Sequence, residues 1–264
     1  MDPIASIDQT GEEPIIRVRG ITVGFGDRLI LENLDLDVAR GEILGFVGGS
    51  GTGKSVLMRT ILGLNRHRAG TVEVFGHDLD RIDEATRTGI ERSWGVLFQH
   101  GALFSSLTVL QNVQVPMREH MKLSIGLMDD LARLKLALVG LPADAAGKYP
   151  SELSGGMIKR ASLARALALD PAIVFLDEPT SGLDPIGAGE FDDLIVKLRD
   201  TLGLTVFMVT HDLDSLRTAC DRIAVLGKRR VLVSGPMSTM LTFDDPWVKA
   251  YFRGARARGV SGRE

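Results

Sequence analysis

The sequence predicts an α/β fold with a mostly parallel sheet whose core is interrupted by a helical insertion, and three observations carry that prediction. Residues 172–176 form an unbroken apolar run of strand length and 204–209 a second, interrupted only by Thr205, the pattern of strands buried on both faces. A glycine-rich loop at 48–55 stands between a strand-like apolar run at 42–47 and a helix-like stretch at 56–62. Between residues 100 and 170 the apolar period becomes helical, and β/α alternation resumes only beyond Pro171.

Taken in order, residues 1–13 are polar, without period, and are expected to be a frayed tail. From 14 to 38, β-rich segments broken by Gly24, Gly26 and Asp27 predict antiparallel strands with tight turns. Further strands are predicted at 70–76 and at 94–98, the latter ending at Gln99. In the helical stretch, Leu127, Leu131, Leu134 and Leu138 form one stripe of a helix over 127–139, and 153–169 reads as an alanine- and leucine-rich helix. Pro116 predicts that 108–121 is kinked or divided. The expected organisation is a core of 14–99 and 171–240 carrying an antiparallel β subdomain, a helical subdomain at 100–170 and a C-terminal extension at 241–264.

Composition narrows the function. A formal charge of -3 gives no global basic field, and no basic cluster is interleaved with aromatics, so nucleic acid is not an expected partner. The single cysteine, Cys220, cannot form an internal disulfide, which suits a reducing cytoplasm. No run reaches the ~20 apolar residues that cross a bilayer, and the N-terminus lacks the basic flank and apolar stretch of a signal peptide.

Residues Gly48, Gly49, Ser50, Gly51, Thr52, Gly53, Lys54 and Ser55 complete the pattern G-x4-G-K-[ST] directly after a predicted strand. Small residues let consecutive backbone N–H groups turn inward onto phosphate oxygens, Lys54 reaches the β- and γ-phosphates, and the Ser55 hydroxyl suits Mg²⁺. A nucleoside triphosphate is the implied ligand. The strand at 172–176 runs into Asp177 and Glu178, two acids at the carboxyl end of a buried strand, where α/β sheets place ligands. Asp177 can hold Mg²⁺ through water, and Glu178 can accept a proton from an attacking water.

These motifs, with Gln99, Leu153-Ser154-Gly155-Gly156-Met157, Ser181-Gly182-Leu183-Asp184 and Thr210-His211-Asp212, stand in the order of an ABC-transporter ATPase, which the chain resembles over roughly residues 15–235. The resemblance implies a RecA-like P-loop NTPase core, with an antiparallel β subdomain and an inserted α-helical signature subdomain, that binds ATP and Mg²⁺ and hydrolyses ATP. It assigns Phe25 to stack on adenine, Gln99 to sense Mg²⁺ and the attacking water, and His211 to contact the γ-phosphate. It assigns Ser154, Gly155 and Gly156 to grip the γ-phosphate held by the other subunit, and Asp184 to communicate across the dimer. A hydroxyl with two side-chain-free N–H groups at a helix start is itself an anion site.

The stretch at 96–109, the segment Val115-Pro116-Met117-Arg118-Glu119-His120, Met157 in the signature and the end at 245–252 are similar to the MCE-associated lipid-transport branch, the Mla-type (maintenance of lipid asymmetry) ATPases. That resemblance implies a homodimer at the cytoplasmic face of the inner membrane, a membrane permease, a periplasmic MCE-domain protein and, in some systems, a STAS-domain regulator. The apolar segment after Gln99 is the candidate permease dock. The rival readings are an importer ATPase for a substrate such as amino acids and a soluble ABC ATPase outside transport. At the C-terminus, Trp247, Val248, Tyr251 and Phe252 are spaced as one helical face that could dock on a partner, with the basic end at 253–264 near anionic lipid.

Overall fold

The computed structural model describes residues 13–254, so the expectations for the two tails lie outside the described residues except for 13 and for 241–254. In chain order the elements are β1 (Ile16–Phe25), β2 (Arg28–Val38), β3 (Ile43–Gly48), α1 (Lys54–Ile61), β4 (Ala69–Val74), β5 (His77–Asp78), α2 (Glu84–Arg92), β6 (Trp94–Leu97), α3 (Val109–His120) and α4 (Ile125–Leu138). Two 3-10 turns at Ala143–Gly147 and Pro150–Glu152 lead to α5 (Gly155–Ala166), β7 (Ile173–Asp177), α6 (Pro185–Leu202), β8 (Thr205–Val209), α7 (Leu213–Thr218), β9 (Arg222–Gly227), β10 (Arg230–Gly235), α8 (Met237–Thr242) and α9 (Pro246–Arg253). The described residues fall into two compact units, 13–82 with 220–254 and 83–219.

In the first unit β1 pairs antiparallel with β2 and β4, and β4 with β5. Ile16, Val18, Ile21 and Val23 of β1 are buried, and the alternation slips between Val18 and Ile21 where the register shifts. Through that irregularity the segments expected at 15–19 and 21–23 join into one strand that includes Gly24, and the turn falls at Gly26 and Asp27. β3 is buried along its whole length and pairs parallel with β9, which pairs antiparallel with β10. A six-residue apolar run with no polar face needs cover on both sides, which is what such a strand gets in a parallel sheet.

The second unit is built on β6, β7 and β8, paired in parallel, with every residue of β7 and β8 buried. Phe175 is central: its ring meets Trp94 edge-on at 6.0 Å and Phe207 at 5.8 Å. The surrounding helices start where capping chemistry says they should. Thr108 and Gln111 form a reciprocal capping box on α3, and Ser124, Ser154 and Asp184 cap α4, α5 and α6.

Two helical expectations are narrowed by the structure. Pro116 sits inside α3, which remains undivided from Val109 to His120; Val113 and Met117 are buried on either side of it, and this packing holds the turn that the proline weakens. On α4 the leucine stripe is not the core face. Leu127 and Leu134 are exposed, Leu134 by 60%, whereas Met128, Ala132, Lys135 and Leu136 are buried. The Lys135 ammonium pairs with Asp170, so the stem of a lysine occupies a position that a leucine pattern would claim.

Candidate functional site

In the first unit, β3 delivers the phosphate loop into α1. A Cβ on Gly48 would come within 2.5 Å of the Leu226 carbonyl oxygen, so the loop starts where only glycine fits. Gly53 takes φ +110 as the residue before α1, where a Cβ would strike Ile30 Cγ2 at 2.7 Å. No side chain caps α1 and no acid stands in its first turn, leaving its leading N–H groups to an anion. The Lys54 Nζ folds back over the loop, donating to the Gly48 oxygen at 2.9 Å and the Gly49 oxygen at 3.3 Å. Ser55 follows it in α1. Phe25 ends β1 and is 55% exposed, which rules out a core role and leaves a flat apolar ring available to stack. The Trp247 indole borders the loop: a Cβ on Gly49 would lie 3.7 Å from its Nε1.

In the second unit, Asp177 is the buried last residue of β7, and Glu178 follows it in a left-handed backbone conformation, φ +51. This turn aims the Glu178 carboxylate at His211, whose Nδ1 is 2.6 Å from Oε2. His211 is largely exposed and Glu178 mostly buried, so the pair spans from surface to interior. The Glu178 N–H donates to the Val209 oxygen at 2.8 Å, tying the turn to the end of β8, one step before Thr210 and His211.

Gln99 and His100 are exposed, and the loop they open is braced from behind. Arg165 of α5 donates to the oxygens of Ala102 and Gly101 at 2.7 and 2.8 Å, and its guanidinium lies 6.0 Å from the Phe104 ring centre. Burial holds the Arg165 pKa below its usual value. Asn112, fully buried in α3, accepts from the Phe104 N–H and donates to the oxygens of Phe104, Leu107 and Thr108. Phe104 itself is 52% exposed, so the apolar segment after Gln99 is displayed at the surface of its unit instead of being buried under the helices.

Ser154 caps α5 by accepting from the Met157 N–H at 3.3 Å, and Ser154 and Gly155 are exposed. Asp184 accepts from the N–H groups of Ile186 and Gly187 at 3.0 Å each; these bonds, with Gly187 contributing most, hold its carboxyl below the ordinary range. Five residues into α5, the buried Lys159 donates to the oxygen of Glu178 at 2.9 Å and to that of Gln99. Desolvation lowers its pKa, opposed by the charges of Glu178 and Asp177. Behind the turn, the Ser215 hydroxyl donates to Asp192 Oδ2 at 2.7 Å and lies 3.5 Å from the Thr180 hydroxyl, while Asp192 Oδ1 has no partner.

The second unit thus brings Asp177, Glu178, His211 and Gln99 into one connected arrangement. Ser154 and Asp184 serve as caps of α5 and α6 in the same unit, and Phe25 with residues 48–55 belongs to the other unit. The donor chemistry fits a magnesium nucleotide. Within the first unit the loop offers N–H groups and a lysine to phosphate and Ser55 offers a hydroxyl; separately, in the second unit, Asp177 and Gln99 carry oxygens of the hard-donor kind that Mg²⁺ takes. Among the described residues no three His, Cys, Asp or Glu side chains gather as a protein-only metal cluster. Lys159, Arg165, Asn112 and Asp192 escaped sequence reasoning. Their sites are made by tertiary contact, and a lysine or asparagine inside an amphipathic helix gives no periodic signal.

A phosphate loop in an α/β chain whose buried strand ends in an acidic pair defines a nucleoside triphosphatase. The family model described as ABC transporter matches residues 31–181, more than half of the sequence, and the chain belongs to that family. It is the ATP-binding, ATP-hydrolysing subunit of a transport system.

Among curated relatives, the probable ribonucleotide transport ATP-binding protein mkl of Mycobacterium leprae is 40% identical over 256 residues, covering 96% of this chain and 74% of that protein. The intermembrane phospholipid transport system ATP-binding protein MlaF of Haemophilus influenzae is 38% identical over 240 residues, covering 91% and 90%. The methionine import ATP-binding protein MetN of Brucella abortus is 37% identical over 229 residues, covering 85% and 60%. Among solved structures, a dimeric post-hydrolysis state of the ATP-binding cassette MJ0796, bound to ADP and Pi, aligns with a TM-score of 0.76 at 30% identity, covering 84% of this chain and 98% of that one.

Proposed function

We propose that this chain is the motor of an inner-membrane ABC transporter that moves phospholipid between inner and outer membranes with an MCE-domain protein. The observation that carries the reading is the near end-to-end match to MlaF, 91% of this chain on 90% of that protein, joined to a displayed segment after Gln99 of the kind expected at a permease contact. Two copies act as a homodimer at the cytoplasmic face. Among the described residues no helix is long and apolar enough to cross a membrane, so the motion must be passed on through protein contact. A permease receives it, the MCE-domain protein handles lipid beyond the membrane, and a STAS-domain protein can regulate the pair.

In this reading Phe25 stacks on adenine, residues 48–53 and Lys54 cradle the phosphates, and Ser55, Asp177 and Gln99 hold Mg²⁺. Glu178 takes the proton of the water that attacks the γ-phosphorus as the bond to the β-phosphate oxygen breaks and ADP leaves. His211, already 2.6 Å from the Glu178 carboxylate, steadies it and faces the γ-phosphate. Ser154, Gly155 and Gly156 of one protomer close on the nucleotide of its partner, with Asp184 alongside.

The test is to purify the chain with its native membrane partners and identify both the proteins and the bound small molecules by mass spectrometry. An MCE-domain protein with stoichiometric phospholipid supports the proposal. A solute-binding lipoprotein for amino acids, with no MCE-domain protein, replaces it with the importer reading that the likeness to MetN favours.

A further inference from the structure

Glu178 holds a left-handed backbone conformation that is unfavourable for a non-glycine residue, so something must over-determine it. Its N–H is tied to Val209, while its carbonyl accepts from the Ser181 N–H at 3.2 Å and from the Lys159 ammonium at 2.9 Å. Lys159 is 6% exposed, and its ammonium also donates to the Gln99 carbonyl. One buried side chain on α5 therefore grips the main chain of the two residues expected to handle the attacking water. The same helix begins at Ser154-Gly155-Gly156, of which Ser154 and Gly155 are exposed, about 7.5 Å away at 1.5 Å per residue. An α-helix is stiff over one and a half turns, so a displacement of its start is delivered to Nζ of Lys159 with little loss.

We propose that Lys159 is a positioning residue that couples the start of α5 to the Glu178 turn and to Gln99, so that engagement of the signature on nucleotide sets the hydrolytic geometry. The inference rests on the proposed roles of Glu178 and Ser154. A buried ammonium is an expensive way to fill a helix face, and a purely packing role would be met by a methionine of similar length. What methionine cannot supply is the pair of charge-assisted bonds to carbonyl oxygens.

The experiment compares Lys159→Met, Lys159→Gln and Glu178→Gln in the full-length chain, measuring kcat, the KM for ATP and the Kd of a fluorescent ATP analogue. Lys159→Met should lower kcat at least tenfold with KM and Kd within about twofold. Lys159→Gln keeps two N–H donors on a stem one bond shorter, and its kcat should fall between wild type and the methionine variant with KM unchanged. Wild-type kcat in Lys159→Met, or parallel loss of affinity and turnover with no advantage for glutamine, overturns the proposal. Should the methionine variant fail to fold, the glutamine variant decides alone: lowered kcat at constant KM supports the coupling and unchanged kcat refutes it. Full turnover in Glu178→Gln would instead refute the assignment of the base, whatever the lysine variants do.

Discussion

Replacing Asp192 by asparagine should change the pH dependence of stability in a direction fixed by its surroundings. The carboxyl is 4% exposed, has one oxygen without a partner and faces Asp193 from its own helix and Asp212 and Asp214 from the next. Burial first, and then these like charges, raise its pKa from 3.8 to about 6 against the opposing bond from Ser215. A carboxyl with a raised folded-state pKa binds more protons folded than unfolded between those two values, so its contribution to stability falls as pH rises through the window. At ~1.4 kcal/mol per tenfold change in proton affinity the cost above pH 6 has a ceiling of about 3 kcal/mol. Solvent screening of the neighbouring exposed carboxylates reduces this to about 1–2 kcal/mol.

An asparagine amide at this position has no such proton to lose. Slightly less than half of that cost develops between pH 5 and pH 8, about 0.5–0.9 kcal/mol, so the melting temperature of Asp192→Asn relative to wild type should rise by roughly 1–4 °C over that range, at 2–4 °C per kcal/mol for a chain of this size. Differential scanning fluorimetry on both proteins across that range reads the difference, and any fixed effect of the amide cancels. A difference independent of pH, or one that shrinks as pH rises, refutes the reasoning.

Lys54→Ala should reduce ATP affinity by two orders of magnitude or more, read by calorimetry, because the loop then meets several phosphate charges without its cation; near-normal binding would remove the phosphate-loop assignment. Glu178→Gln should bind ATP normally while turnover falls by roughly 10²–10⁴ and an ATP-bound dimer accumulates on size exclusion. The indole of Trp247 beside Gly49 should report occupancy, so ATP is expected to change tryptophan emission in wild type and leave it unchanged in Trp247→Phe, where Trp94 alone remains. Equal responses in both would place the sensitive indole at Trp94.

The buried strands and the phosphate loop were legible because their signals are local. Predominantly apolar runs became β3, β7 and β8, all buried throughout, and Asp177 and Glu178 do stand at the carboxyl end of β7. Motif order and resemblance singled out Glu178 and His211 separately, and their direct pairing is added by the structure. What could not be read was long-range polar anchoring. Asn112 bonding back to Phe104, Arg165 to Gly101 and Lys159 to Gln99 and Glu178 each join segments whose proximity depends on topology. Helix α2 was also silent, since Ile90 is its one buried residue and no stripe exists to detect.

Periodicity identifies a face but not what covers it, and the C-terminal helix makes the distinction concrete. Trp247, Val248, Tyr251 and Phe252 do share α9, yet Val248 and Phe252 are buried within their own unit, where α9 packs on α8. Of the four, Trp247, stacked on Tyr251 at 4.9 Å and 36% exposed, is the most exposed apolar surface, with Tyr251 half-buried beside it. Removing residues 244–264 would therefore confound docking with the loss of two core side chains, at about 2–5 kcal/mol for each large apolar group taken out of a packed interior. Trp247→Ala separates the two effects. If the exposed ring serves assembly, this variant should keep its melting temperature within about 2 °C and lose affinity for the complex by tenfold or more, as for an aromatic anchor worth ~1.4 kcal/mol or more at an interface. Wild-type assembly would leave α9 as a strut for its own unit and end the docking role.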